Sequence, residues 1–267
     1  MAASNDTAPT LAASHPTSGR QAKVKVLILG GTGEARALAR RLTDTGYGPV
    51  TSLAGTTQYP AEISGQLRRG GFGGAAGLAD YAASEGIAAI VDATHPFATQ
   101  ISRHAKDAAD QLGLPLIRLE RPAWTPERED RWINVEDQET AAQALPAGAH
   151  VLLTIGRKEL QPYLRRRDIS GIARMIEAPS TEVAGNWRVL LARPPFSLDQ
   201  ELRLFTREAI SHLVTKNAGG EETRAKLMAA RRIAVAVVMI RRPMKPEAPT
   251  VDTGQRVIAF LDQVLNA

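Results

Sequence analysis

From Lys23 onward, short continuous apolar runs alternate with stretches of helical spacing. VKVLILGG (24–31) has the pattern of a buried strand, and GEARALARRLTDTG (33–46) that of a helix closed by a glycine C-cap. PVTSLAG (49–55) gives a second strand, EISGQLRR (62–69) leads into a glycine-rich loop, and GLADYAASEG (77–86) is helical. IAAIVDAT (87–94), a helix from Ala98 to Leu112 and LPLIRLE (114–120) complete the first half. Strands that are apolar throughout and separated by helices predict a parallel sheet covered on both faces.

RPAWTPERED (121–130) is proline-rich and charged, as an interdomain linker would be. The alternation then resumes with HVLLTIG (150–156), a helix to about Arg166, and the extended runs GIARMIEAP (171–179) and WRVLLARPP (187–195). A helix over 198–209, the strand HLVTKN (212–217) and a helix over 219–232 follow. IAVAVVMIRRP (233–243) is expected as the last strand, before an amphipathic helix over 254–266. The prediction is an α/β protein of two Rossmann-like doubly wound lobes, with parallel sheets and a cleft between them. Residues 1–22 form a tail, 23–122 a nucleotide-binding lobe and 123–267 a substrate lobe, whose final helix is free to pack back on the first.

Length agrees with this division: 267 residues at roughly 150 per domain allow one large domain or two small ones. The tail is rich in Ala, Ser and Thr without apolar periodicity, so disorder is expected there, and it lacks the pattern of a secretory signal. The longest apolar run, 233–240, falls far short of the ~20 residues of a membrane helix. With no Cys, thiolate catalysis, disulfides and Fe–S clusters are excluded. The five His show no metal-binding spacing, so no metal site is expected. A cytoplasmic enzyme, monomeric or weakly homo-oligomeric, is the default. The net charge is +5, with 26 Arg against seven Lys. Arginine forks suit carboxylates and phosphates, although codon usage would explain the bias equally well.

In open parallel sheets ligands bind beyond the carboxyl ends of the strands. GGTGEA (30–35) lies there, opening a helix, and Gly30, Gly31 and Gly33 would let a pyrophosphate approach the backbone. The strict GxGxxG spacing is broken by Arg36, and a tight turn without ligand would look much the same. After the second strand stand Ser52, Leu53, Ala54 and Gly55, with no acid before Glu62. A missing acid favours NADP over NAD, though the loop holds no Arg for the 2′-phosphate. RRGGFGG (68–74) surrounds Phe72 with four glycines, costly to order unless the backbone lies against something, with a flexible hinge as the alternative. DATHPF (92–97) offers Asp92 and His95 as an acid–base pair, or equally Thr94 as a cap and His95 as a loop residue. TIGRK (154–158) and TKNAGG (215–220) bring Arg157, Lys158 and Lys216 to strand-to-helix turns, where the helix dipole opposes a cation unless an anion is bound.

VLILGGTGEARALARRL, SLAG, GGFGGAAGLADY, VDATHPFATQISRHA, TIGRKEL and LVTKNAGG together resemble the precorrin-6A reductase family of cobalamin biosynthesis, in order and at similar spacing from Lys23 to the C-terminus. The resemblance implies NADPH-dependent reduction of one double bond of a polycarboxylate tetrapyrrole, giving precorrin-6B, with the macrocycle between two Rossmann-like lobes. It assigns Gly30, Gly31, Thr32 and Glu34 to the dinucleotide turn, Gly71, Phe72 and Gly73 to the glycine loop, and Asp92 to Pro96 to the loop facing cofactor and substrate. Ser52, Ala54 and Thr94 join the cofactor set. His95, Pro96, Gly156, Arg157, Lys216, Asn217 and Gly219 fall at the tetrapyrrole, and Asp92 or His95 is expected to deliver a proton unless water does. Some members carry a basic residue where this chain has Thr56. A cobalt-containing substrate, as in the anaerobic route, and a non-catalytic NADP-sensing protein remain alternatives. No Tyr is followed by Lys four residues on, which excludes short-chain dehydrogenase chemistry. Aromatics at 4% are too scarce for nucleic-acid stacking.

Overall fold

A computed structural model of the chain describes residues 23–55, 62–179, 182–183 and 185–265. The tail over 1–22 and Thr56 lie outside the described residues. Two six-stranded sheets form the frame, and every strand pair is parallel.

The first sheet is built from β1 (Lys25–Leu29), β2 (Gly48–Leu53), β3 (Gln66–Arg69), β4 (Ile87–Asp92) and β5 (Leu116–Leu119). Helices α1 (Gly33–Asp44), α2 (Ala75–Glu85) and α3 (Thr99–Leu112) make its crossovers. The second sheet takes β6 (Trp132–Val135), β7 (His150–Thr154), β8 (Ser170–Met175), β9 (Trp187–Leu191), β10 (His212–Lys216) and β11 (Ala236–Ile240). Its helices are α4 (Gln138–Gln143), α5 (Gln161–Leu164), α6 (Leu198–Arg207) and α7 (Ala225–Arg232). The chain then runs through β12 (Thr250–Val251) into α8 (Gly254–Leu265).

Both sheets have the doubly wound order. Across the first it is β3-β2-β1-β4-β5-β12, and across the second β9-β8-β7-β10-β11-β6. The sixth strand of each is exchanged. β6 follows β5 in sequence yet pairs with β11, while β12, at the far end of the chain, pairs with β5. The chain therefore crosses between the lobes twice, through 120–131 and 241–249.

The apolar runs are explained by burial on both faces. Val26, Ile28, Ala89 and Val91 meet α1 and α8, whereas Leu27, Leu29 and Ile90 meet α2 and α3. Leu38 and Leu42 of α1 pack with Val257 and Leu261 of α8, and Tyr47 Oη donates to Asp262 Oδ1 at 2.7 Å. In the second lobe Val151, Leu153 and Val214 meet α4 and α5, and Leu152, Leu213 and Val237 meet α6 and α7.

Three expectations change. IAVAVVMIRRP is not the last strand, because β12 follows it. The helix expected over 219–232 begins at Ala225: Gly219 and Gly220 have φ of +68° and +84°, outside helical space. The helix expected after β7 is a 3-10 turn over Arg157–Glu159 and then the four-residue α5.

Candidate functional site

The carboxyl ends of both sheets face the region where the chain crosses. In the first lobe Gly30 follows β1 and donates its N–H to Ser52 O at 2.9 Å, holding the turn against β2. Gly31 has φ +114°, a conformation only glycine adopts freely. Thr32 caps α1, its Oγ1 accepting from Ala35 N at 3.1 Å and donating to Ala93 O at 2.9 Å. The N–H of Gly33 in the first helical turn has no intrahelical acceptor, as an anion site requires. The Glu34 carboxylate stays beside its own N–H and takes both oxygens to Arg121 Nη1, at 2.9 and 2.8 Å. Burial works to raise the Glu34 pKa, but the Arg121 hydrogen bonds and charge, with Thr32 and the backbone, hold it below the usual carboxylate range.

Ser52, the last but one residue of β2, lies beside Arg68 of β3, in direct register. Arg68 Nη1 donates to Ser52 Oγ at 3.3 Å and Gly70 O at 2.6 Å, and Nη2 to Gly71 O at 2.8 Å. Its guanidinium lies 3.7 Å from the Phe72 ring centre. The glycine loop is thus wrapped around one arginine, and Gly71, Phe72 and Gly73 sit with Ser52. Ala54 is exposed beyond them. Sequence reading sought an arginine in the loop after β2 and missed the one on the neighbouring strand; the RR at the end of a run adjacent in the doubly wound order was the available signal.

Asp92 ends β4, almost fully buried. Its Oδ1 accepts from Thr94 Oγ1 at 2.6 Å, its Oδ2 from Arg118 Nε at 3.1 Å, and Lys245 Nζ stands 4.0 Å away. Burial opposes ionisation, yet the Lys245 charge and the Thr94, Ser102 and Arg118 hydrogen bonds together lower its pKa. Asp92 is thus favoured in its charged form and shapes its loop, an environment that argues against the expected role as a proton donor. His95 Nδ1 accepts from Phe97 N at 3.3 Å, which leaves the ring proton on Nε2. Burial, with the charges of Arg121, Lys216, Lys245 and Lys226, drops its pKa to about 3. His95 is therefore a neutral imidazole and a hydrogen-bond donor, where an imidazolium acid was anticipated. Pro96 is buried beside it.

The second-lobe residues are brought to the same region but are already partnered. Arg157 pairs with Glu177 at 3.2 Å, and Lys216 pairs with Glu159. Those carboxylates, rather than a ligand, satisfy the cations at these turns. Asn217 directs its amide at the crossing segment, accepting from Trp124 N at 2.8 Å and donating to Trp124 O at 2.9 Å. A Cβ on Gly219 would lie 2.1 Å from Pro122 O, so this glycine is required by the approach of the crossing segment. Gly156 precedes the 3-10 turn and donates to Glu159 Oε2 at 2.9 Å. The loop after β4 bridges the lobes: Phe97 packs against the second-lobe core, and Lys216 Nζ lies 5.0 Å from its ring centre.

Between the lobes is a cavity of about 270 Å³ lined by Gly33, Glu34, Arg121, Gly219 and Glu222, and a smaller one adjoins Thr32, Thr94, Pro96 and Arg121. Among the described residues no group of three or more His, Cys, Asp or Glu could hold a metal, and no helix is long and apolar enough to cross a membrane.

Strand order and turn geometry define a two-lobed Rossmann-like α/β protein. Residues 25–262 match the family described as Precorrin-6x reductase CbiJ/CobK, and the chain belongs to that family. It is 45% identical over 240 residues to a precorrin-6A reductase of Rhodococcus erythropolis, covering 89% of this chain and 97% of the relative. It is 40% identical to a precorrin-6A reductase of Rhodobacter capsulatus, covering 89% and 95%. A solved structure described as CobK precorrin-6A reductase superposes with a TM-score of 0.86 at 40% identity, covering 90% of this chain and 96% of that one.

Proposed function

We propose that the chain reduces one double bond of precorrin-6A with NADPH, giving precorrin-6B in cobalamin biosynthesis. The observation that carries this reading is the loop after β4. The Thr32–Ala93 hydrogen bond ties that loop to the dinucleotide turn, and Phe97 carries its other end into the second lobe. A reactant at the turn and another in the cleft would thus meet at His95.

The residues at the turn fit a dinucleotide. Gly30–Glu34 offer a positive-φ glycine and the uncapped helix N–H of Gly33, with Thr94 and Pro96 beside them. Ser52 and Arg68 stand where an NAD enzyme would carry an acid, and an arginine there favours the 2′-phosphate of NADPH. Gly71, Phe72 and Gly73 complete that wall, with Ala54 at its edge. Bound NADPH supplies the hydride. The protein orients the two reactants; neutral His95 donates a hydrogen bond from Nε2 to the macrocycle, and water supplies the proton that completes the reduction. Lys216 and Arg157 receive substrate carboxylates by exchanging them for Glu159 and Glu177, with Gly156 and Gly219 shaping the turns. Relatives named for precorrin-6A are 40–45% identical, and those named for cobalt-precorrin-6A 27–29%, which favours the metal-free substrate.

The test is turnover of metal-free and cobalt-loaded precorrin-6A with NADPH or NADH. One NADPH consumed per macrocycle, with two hydrogens added to the product mass, is expected. No turnover with any pair would overturn the reading, and turnover of the cobalt form alone would reassign the substrate. Arg68→Ala should raise the KM for NADPH about tenfold, equivalent to ~1.4 kcal/mol, and leave that for NADH unchanged.

A further inference from the structure

Arg121 stands where the chain first crosses between the lobes, and its guanidinium joins both. Nη1 holds both oxygens of Glu34 in the first turn of α1, and Nε donates to Ala218 O at 2.7 Å in the second-lobe turn. Its stem packs so closely that a Cβ on Gly220 would lie 2.9 Å from Arg121 Cδ. Arg242, where the chain crosses back, closes the ring. It donates to Arg121 O at 2.9 Å, Glu120 Oε1 at 3.0 Å, Asn217 O at 2.8 Å and Ala218 O at 3.0 Å. The Lys216–Gly220 turn is thus clamped to residues 120–122, and through one rigid fork to the head of α1. A surface ion pair would not do this, because neither end of the fork can shift without moving a donor that holds the other.

We propose that Arg121 is a positioning residue that couples cofactor binding at the Gly30–Glu34 turn to tetrapyrrole binding at the Lys216–Gly220 turn, each favouring the other. An anion settling at the Gly33 N–H lies beside the Glu34 carboxylate and is favoured when Arg121 neutralises and holds that carboxylate. The same fork holds Ala218 O, and linkage makes the effect equal in both directions. After burial, Arg121 heads the four cations whose charges lower the His95 pKa, so the same group that aligns the turns faces the loop where the reactants would meet. This inference rests on the cofactor and substrate reading above.

The test uses the full chain and titrates NADP⁺ calorimetrically, alone and with saturating precorrin-6A, a pair that cannot turn over. In the unsubstituted protein precorrin-6A should tighten NADP⁺ binding by about fivefold or more, the lower end of common coupling factors. Arg121→Gln should bring that factor to within about twofold of unity, and Arg121→Lys, which keeps the charge but not the fork, should restore part of it. Retention of the full factor in Arg121→Gln, or its absence in the unsubstituted protein that binds both ligands, would overturn the coupling. Failure of the unsubstituted protein to bind either ligand would instead remove the function on which it rests. Should Arg121→Gln not fold, Glu34→Gln cuts the same link from the other side, and coupling that survives there is equally fatal.

Discussion

The turns that follow β1 and β7 occupy the same central place in two sheets of the same strand order, and they are built for different ends. After β1 come Gly30, Gly31 and the capping Thr32, then a 12-residue helix whose Gly33 N–H the cap leaves without a side-chain acceptor. After β7 comes a three-residue 3-10 turn whose preceding N–H, at Gly156, is already taken by Glu159. The second lobe fills its own anion position with its own carboxylate, and the four-residue α5 beyond it adds little dipole. Sheet order is thus shared while the binding site is not; the residues of the turn decide it.

The same contrast extends to buried charge, where the largest effects are expected. The first lobe holds Asp92 between Arg118 and Lys245, the second holds Arg174 against Glu201 at 2.9 Å with Lys226 nearby. Asp92→Ala leaves two buried cations short of a partner and should cost about 3–5 kcal/mol in urea unfolding; a loss under 1 kcal/mol would mean that Glu120 alone suffices for Lys245. Both clusters make stability rise with pH, but in different windows and for different reasons. Asp92 is lowered, so its stabilisation is complete above the unfolded carboxyl pKa of ~3.9 and disappears as pH falls through the folded value. Lys226 is lowered to about 7 by burial and by Arg174, against the pull of Glu201. Between there and the unfolded value of ~10.4 the unfolded chain binds the extra proton, so stability rises with pH. The unsubstituted protein should gain on the order of 1 kcal/mol per pH unit more than Lys226→Met across that window; equal slopes would break the contrast.

A smaller effect separates the turns themselves. Gly31 has φ +114° with open space around a would-be Cβ, so Gly31→Ala acts through backbone strain alone. Strain of about 1–3 kcal/mol should raise the KM for NADPH about tenfold or more while the second-lobe turn is untouched. An unchanged KM would show that the turn tolerates another conformation and that its glycine is not what admits the cofactor.

Local patterns made most of this legible. Nine of the strands fall, to within one residue, on runs that the sequence marks as extended, whereas β3, in the polar QLRR, was not marked; the glycine turn after β1 and the DATHPF loop were visible as sites. What was hidden is non-local. β6 and β12 are exchanged between sheets, and nothing in WINV or TV names a partner more than a hundred residues away. Likewise Arg157, Lys216 and Asn217 were read as ligand contacts because their charge and position were visible, whereas Glu177, Glu159 and Trp124, which occupy them, arrive from other segments. The arginine excess shows the same limit: Arg118, Arg121 and Arg242 sit in or beside the two crossings and bind the lobes together, a use that composition cannot distinguish from ligand binding.

The smallest expected effect tests the contrast most directly. Gly156 has φ −73° and ψ 148°, values open to any residue, and its would-be Cβ lies 3.1 Å from Glu159 Oε2, the movable end of a side chain. If the second-lobe turn satisfies itself, Gly156→Ala asks Glu159 to shift by a few tenths of an ångström and nothing more. The KM values for NADPH and precorrin-6A should both stay within about twofold, a change below ~0.5 kcal/mol. A tenfold rise for precorrin-6A alone would mean that Glu159 yields this N–H to a substrate carboxylate during binding. The two turns would then both be anion sites, one open from the start and one opened by its ligand.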